Sequence, residues 1–345
     1  MTSSDVPHAS TLEEVALRAG VSRSTVSRVL NGIAVDPVMR RKVDEAVRET
    51  GYVPNYAARS LVTRRTNSVA LVIAEPASGS SGAAFLERIF SDPYFGRVTA
   101  GAQGVLRASG IHLVVLPADR EDHDFVLTYL RQGHVDGVLV ISSADDAELP
   151  RALHDLHVPA VLSHQPASGV PLSWVDADQA AGGRLAAEHL ASLGRRACVA
   201  VSGPEDLAAA RERLDGFLAR AAALGMPVEV VPGDFTARSG TTAARTIVDT
   251  LPGTDAVFAA NDLMAESVVR HLQDAGRRIP QDVVVVGFDD TSTALDTVPP
   301  LTTVRQPVED MAAEMARLLL DRIATPQQPP RGVLFQPSLV VRGTA

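Results

Sequence analysis

Residues Thr11 to Asn31 read TLEEVALRAGVSRSTVSRVLN, and their spacing predicts two short helices joined by a tight turn. Ser10 or Thr11 can cap the first, because Glu13 or Glu14 lies three residues on and closes a capping box around two orphan backbone N–H groups. Leu12, Val15, Ala16 and Ala19 share one face, and Gly20 follows where a positive φ can end the helix. Ser22 can cap the second helix, which turns Val26, Val29 and Leu30 inward and leaves Arg23, Ser24, Thr25, Ser27 and Arg28 on its N-terminal and outer faces. A third helix is announced by Asp36 as cap and Pro37 at its first position, with Val43, Ala46 and Val47 inward until Gly51. Basic and hydroxyl side chains at the start of the second helix give this unit the pattern of a helix-turn-helix that enters a DNA groove. Taken alone, the pattern fits equally a small helical domain with no nucleic-acid role.

The net charge of −9 opposes DNA binding until the chain is divided at Thr66. Residues 1–66 hold 10 Lys+Arg against 7 Asp+Glu, whereas the remainder holds 22 against 34. The basic excess is therefore local, with Arg40, Arg41 and Lys42 in the third helix and Arg59, Arg64 and Arg65 after it, a distribution suited to phosphate contact. Solvated faces are the plainer reading of each cluster, and the company of the helix-turn-helix tips the balance.

From Ser68 the chain alternates strand-sized apolar runs with amphipathic helices, the mark of parallel sheets covered on both faces. Strands are expected at Val69 to Ala74, His112 to Leu116, Gly137 to Ile141, Ala160 to Leu162, Cys198 to Ser202, Val228 to Val231, Ala256 to Ala259 and Val283 to Gly287. With 345 residues and 46% hydrophobic content there is enough for two doubly wound lobes, whose ligands bind at the carboxyl ends of the strands. No apolar stretch approaches the roughly 20 residues that cross a bilayer, and the start MTSSDVPHAS has no signal core, so a cytoplasmic protein without membrane contact is expected. The single Cys198 lies in the apolar run ACVAV and reads as core.

Catalytic signatures are weak. No GxGxxG follows the first strand of either lobe, and neither GxxxxGK[ST] nor GxSxG occurs. His154 and His157 stand three apart near Asp155 but have no cysteine or carboxylate cluster to complete a metal shell, and the run DREDHD at Asp119 to Asp124 lacks the spacing and the closing Glu of a calcium loop. No enzyme activity, cofactor, metal or catalytic residue is expected. A sugar-binding receptor or transport component with the same two lobes is the alternative, and residues 1–66 speak against it.

Six stretches in order carry a more specific signal: TLEEVALRAGVSRSTVSRVLNG from Thr11, PNYAARSL from Pro54, DPYF from Asp92, FAANDLMA from Phe258, IPQDVVVVGFDD from Ile279 and PPLTTVRQPVEDM from Pro299. Together they closely resemble the lactose-repressor/galactose-repressor family of bacterial transcription regulators over nearly the whole chain. The resemblance implies a headpiece at 1–52, a hinge helix and linker at 53–67, and a core at 68–345 built like periplasmic sugar-binding proteins. It also implies three crossings between lobes, near Ser163, Thr302 and Gly332, giving an N-lobe of about 68–163 and 303–331 and a C-lobe of about 164–302 and 332–345.

By the same resemblance Arg23 and Ser24 read bases, an arginine there suiting guanine O6 and N7, with Thr11, Ser22, Thr25, Ser27, Arg28 and Asn31 as further DNA contacts. The hinge contributes Asn55, Ala58, Arg59 and Leu61, with Leu61 a minor-groove wedge, although an apolar linker residue is its simpler reading. A palindromic double-stranded operator and a homodimer are the implied partners, a dimer being preferred because no heptad tail follows Ala345. The effector, a sugar or sugar derivative, is expected against Tyr94, Phe95, Arg213, Phe235, Asn261, Asp289 and Gln306. Asp289 ends the run VVVVGFD, where its carboxylate can accept from two hydroxyls or cap the next turn. Arg213 offers a rigid fork of donors, with Arg211 a nearby competitor. Phe235 and Asn261 can line a pocket or serve as core and turn residues. Two departures stand out: 76–91 is long and rich in Gly and Ser, and Ser163-His164 replaces an acidic residue common in the family, where His164 can touch ligand or equally face solvent in its loop.

Overall fold

The computed structural model describes residues 10–53, 65–74, 83–118, 122–141, 148–166 and 169–345. The chain divides into two units, Met1–Thr66 and Asn67–Ala345. The expected hinge residues Asn55, Ala58, Arg59 and Leu61 lie outside the described residues, as does the Gly/Ser-rich part of 76–91.

In the first unit, helices α1 (Leu12–Ala19), α2 (Arg23–Leu30) and α3 (Pro37–Thr50) form a small bundle. Thr11 caps α1 and closes the box with Glu14, and Gly20 ends it at φ +62°. Ser22 accepts from the Thr25 N–H, and Asp36 accepts from Val38 and Met39. Val15, Ala16, Ala19, Val26, Val29, Val43 and Ala46 are buried together, each at the position its helical spacing assigns.

The second unit holds two six-stranded sheets. Its N-lobe begins with β1 (Ser68–Ala74), α4 (Ala83–Ser91), α5 (Pro93–Ala108), β2 (His112–Ala118), α6 (His123–Arg131), β3 (Gly137–Ile141), α7 (Glu148–Asp155), β4 (Ala160–Leu162) and β5 (Ser173–Ala177). The C-lobe follows with α8 (Gln179–Ser192), β6 (Cys198–Val201), α9 (Ala208–Ala223), β7 (Val228–Val231), α10 (Ala237–Thr250), β8 (Ala256–Ala259), α11 (Asp262–Asp274), β9 (Val284–Asp289), α12 (Ser292–Asp296) and β10 (Thr302–Arg305). Helix α13 (Val308–Ala324) and β11 (Gly332–Phe335) return to the N-lobe, and β12 (Ser338–Val340) ends in the C-lobe. The orders are β11-β5-β4-β3-β1-β2 and β12-β10-β9-β8-β6-β7, parallel throughout except where β12 runs against β10. Apolar clusters cover both faces of each sheet, which is why the central strands read as unbroken hydrophobic runs.

The lobe boundaries differ from those the resemblance implied. Strand β5 pairs with β4, so the first crossing falls after Ala177, not near Ser163. Strand β10 pairs with β9, which moves the second crossing to Gln306, and β11 pairs with β5, which moves the third past Phe335. In each case the chain adds one more strand to the sheet it occupies before leaving. In sequence β5 is hidden because SWVDA carries a buried aspartate, β10 because TTVR is largely polar, and β11 because it is a short, partly exposed margin. The end of the 76–91 segment is helical, with Phe85 and Ile89 of α4 buried in the N-lobe core.

Candidate functional site

Loops at the carboxyl ends of the strands meet between the lobes, and a pocket lies there enclosing about 730 Å³, open solvent at its mouth included. The N-lobe supplies Arg88, Asp92, Tyr94, Phe95, Ser163 and His164; the C-lobe supplies Leu207, Ala208, Ala209, Arg213, Phe235, Asn261 and Asp289. Six of the seven residues expected at an effector site therefore share one cavity. The seventh, Gln306, is buried behind the wall, where its amide donates to Asp289 Oδ1 at 2.5 Å.

Local sequence explains how each group is presented. Asp92 caps α5 through the Tyr94 N–H, which brings Tyr94 and Phe95 to the first turn, their rings 5.4 Å apart edge to face. Asn261 caps α11 by accepting from Met264 N–H, while its amide donates to the Phe235 carbonyl at 2.8 Å and fixes that loop. Phe235, Asp289 and Asp290 have φ of +67°, +103° and +53°, left-handed conformations that are costly for residues other than glycine. Arg97 from α5 secures this bend by donating to the carbonyls of Asp289 at 2.8 Å and Asp290 at 3.2 Å, and it pairs with Glu309.

Arg213 is the central cation. Its Nε donates to Gln179 Oε1 at 2.8 Å, and its Nη1 donates to the Ala260 carbonyl at 2.7 Å and lies 3.2 Å from Asp289 Oδ1. The guanidinium stacks on Phe288, 3.9 Å from the ring centroid, with Phe235 at 5.6 Å. Burial raises the Asp289 pKa from its ordinary value, against the lowering pull of Arg213 and the Gln306 hydrogen bond. Asp92 is pushed up to about 7, by burial first and then by the charge of Asp289. Beneath the wall, Asp262 is pushed up to about 8 by burial and by Asp289, although it accepts from Thr303 Oγ1 at 2.6 Å and from Thr291 N–H at 2.7 Å. The wall thus combines a fixed fork of donors, carboxyl acceptors, an amide and three aromatic rings. That set suits a neutral polyhydroxylated ligand.

Asp92, noted beside Tyr94 and Phe95, and His164, readable as a ligand contact or a solvent-facing loop residue, both line the pocket, whereas sequence reasoning gave no place there to Arg88, Ser163 or Leu207 to Ala209. The 207–209 stretch reads only as a helix start.

In the first unit Arg23, Ser24 and Arg28 are exposed on α2, and Thr25, Ser27 and Asn31 are half-buried beside them. Arg23 pairs with Glu13 at 2.9 Å across two exposed side chains, a link that solvent screens and a phosphate can displace. The hydroxyls of Thr11 and Ser22 accept from backbone N–H groups as helix caps, and Asn31 donates to Ser27 Oγ at 3.3 Å.

Comparison with known proteins agrees with this architecture. Residues 11–55 match the model of bacterial regulatory proteins of the lacI family, and residues 187–345 match a periplasmic binding protein-like domain. The HTH-type transcriptional regulator CelR of Thermobifida fusca is 43% identical over 340 residues, covering 96% of this chain and 97% of that one. This chain belongs to the lacI family. It is accordingly a DNA-binding transcription regulator with a helix-turn-helix headpiece and a two-lobed core. A solved complex of transcriptional regulator CelR with cellobiose is 40% identical, covers 97% of this chain and all of that one, and superposes with a TM-score of 0.74. The lac repressor dimer bound to operator and the anti-inducer ONPF is 27% identical over 97% of this chain and 99% of that one, with a TM-score of 0.83. Among the described residues no helix is long and apolar enough to cross a membrane.

Proposed function

We propose that this lacI-family regulator represses carbohydrate uptake or metabolism genes as a cytoplasmic homodimer on a palindromic operator, without enzymatic activity, and that a sugar in the pocket between its lobes controls operator affinity. The convergence of Arg213, Asp289, Asn261 and Phe235 from four separate elements on one pocket carries the reading. Cellobiose is the first candidate ligand, because the relative with 40% identity was solved with it. Arg23 and Ser24 read bases, the neighbouring hydroxyls and Arg28 hold phosphates, and the hinge with Asn55, Ala58, Arg59 and Leu61 enters the minor groove. Ligand binding shifts the population of lobe angles and thereby the operator-bound form. The test has two stages: selection of bound duplexes from a random pool, then titration of the selected duplex with and without cellobiose. Enrichment of a palindrome and a cellobiose-dependent change in affinity are expected. An enriched palindrome with affinity indifferent to every sugar tried would reject the effector assignment, and no enrichment would reject the operator reading.

A further inference from the structure

A hydrogen-bonded ring of side chains joins the two lobes behind the pocket. His164, in the loop after β4, places Nδ1 2.6 Å from Asp176 Oδ2 on β5. Asp176 Oδ1 accepts from the Ala177 N–H at 2.7 Å and from Gln179 Nε2 at 3.2 Å. Gln179 Nε2 also donates to Gln306 Oε1 at 3.1 Å, and Gln306 passes the chain to Asp289 and Arg213. Glu212, from α9 of the C-lobe, brings its carboxylate within 4.8 Å of both His164 and Asp176. One imidazole that lines the pocket is therefore faced by two carboxylates, one from each lobe.

We propose that His164 contacts the bound ligand from the N-lobe wall and, when its ring is doubly protonated, bridges Asp176 to Glu212 and so favours the apposition of the lobes. The proposal rests on the reading of this pocket as a sugar site. A ring held by Asp176 at Nδ1 presents Nε2 as an acceptor when neutral and a donor when charged, and a sugar hydroxyl can meet either. Burial lowers the His164 pKa, but the hydrogen bond to Asp176 and the charges of Asp176 and Glu212 outweigh it and leave the pKa raised. Glu212 exerts its share only while α9 lies against the N-lobe loop, so the apposed conformer holds the proton more tightly. A ligand that selects that conformer binds more tightly below the His164 titration and loses the advantage as pH rises through it. Asp92 titrates in the same pocket and Asp178 and Arg211 flank Glu212, so the informative quantity is the part of the pH dependence that His164→Gln removes.

Cellobiose binding by calorimetry at pH 6 and 8, in EDTA, compares the full chain with His164→Gln and Glu212→Gln. The unsubstituted protein should gain about threefold or more from pH 8 to pH 6 relative to His164→Gln, and His164→Gln should bind more weakly at both values. Parallel pH profiles, or equal affinity at both pH values, overturn the proposal. The His164 ring is also titrated by NMR without ligand, where Glu212→Gln should lower its midpoint; an unmoved midpoint overturns the bridge. Should cellobiose bind at no pH, the cellobiose assignment fails, while the NMR midpoint still decides the bridge.

Discussion

Replacing Arg213 by methionine removes the cation of a buried pair while keeping much of the apolar stem that packs on Phe288. Both partners are nearly inaccessible, with side-chain exposures of 7% for Arg213 and 6% for Asp289. The substitution leaves the Asp289 carboxylate uncompensated and strips donors from Gln179 Oε1 and the Ala260 carbonyl. Breaking a buried pair in this way costs about 3–5 kcal/mol, far above the value of a surface pair. The penalty has a pH signature. Without Arg213 the folded-state pKa of Asp289 rises further above its unfolded value, so the folded protein takes up a proton, and the penalty shrinks as pH falls through that pKa and is full above it. Adding Asp289→Asn removes the stranded charge and should recover about 2 kcal/mol or more of the loss. Urea unfolding followed by circular dichroism and by the fluorescence of Trp174, the chain's single tryptophan, gives all three values in the full chain. Ligand binding should be lost in both variants, so stability and recognition separate cleanly. A cost below about 1 kcal/mol for Arg213→Met, or a double variant no more stable than the single one, would refute the central place given to this pair.

Gly183 on α8 has no room for a Cβ, which would collide with the Arg213 carbonyl of α9, so Gly183→Ala should cost about 1–3 kcal/mol in urea unfolding and weaken ligand binding by displacing Arg213. Asp262 is held at about 8 in the fold against 3.8 unfolded, so its contribution to stability should fall as pH rises from 3.8 to about 8 and level off above, and Asp262→Asn should flatten that loss; an identical slope in the variant would refute the assignment. Arg23→Ala should cost about 1–3 kcal/mol of operator affinity and relax preference at one base pair, read by filter binding against single-site operator variants. Leu61→Ala should weaken operator binding and spare ligand affinity; unchanged operator binding would remove the wedge from the account.

The headpiece was legible almost residue by residue, because capping, αL glycine and 3.6-residue spacing are local properties: Thr11, Ser22, Asp36 and Gly20 each perform the role their position predicts. Central strands were equally legible, since burial on both faces writes an apolar run. The crossing strands were not. β5 contains Asp176, whose buried carboxylate is tolerable only because His164, Gln179 and the Ala177 N–H converge on it, and although these partners lie close in sequence their spacing does not show that the loop after β4 folds back onto β5. For the same reason Gln179 carries no signal in the sequence and Gln306, expected against the effector, stands behind the wall, because topology brings both against Arg213 and Asp289.

This arrangement bears on how binding reaches conformation. Gln179 stands at the first crossing between lobes and Gln306 at the second, and their amides are bonded to each other at 3.1 Å. Arg213 and Asp289 hold the other sides of those same amides while lining the pocket. A ligand that draws either charged group toward itself must lengthen or redirect a hydrogen bond to a crossing residue, and the lobe angle that best restores the lost bond then becomes the favoured one. Coupling between the pocket and lobe angle thus follows from shared side chains, and Gln306→Ala tests it while leaving Arg213 and Asp289 in place. If Gln306→Ala bound ligand and changed its operator affinity as the unsubstituted protein does, the ring would be a structural brace and the coupling would run elsewhere.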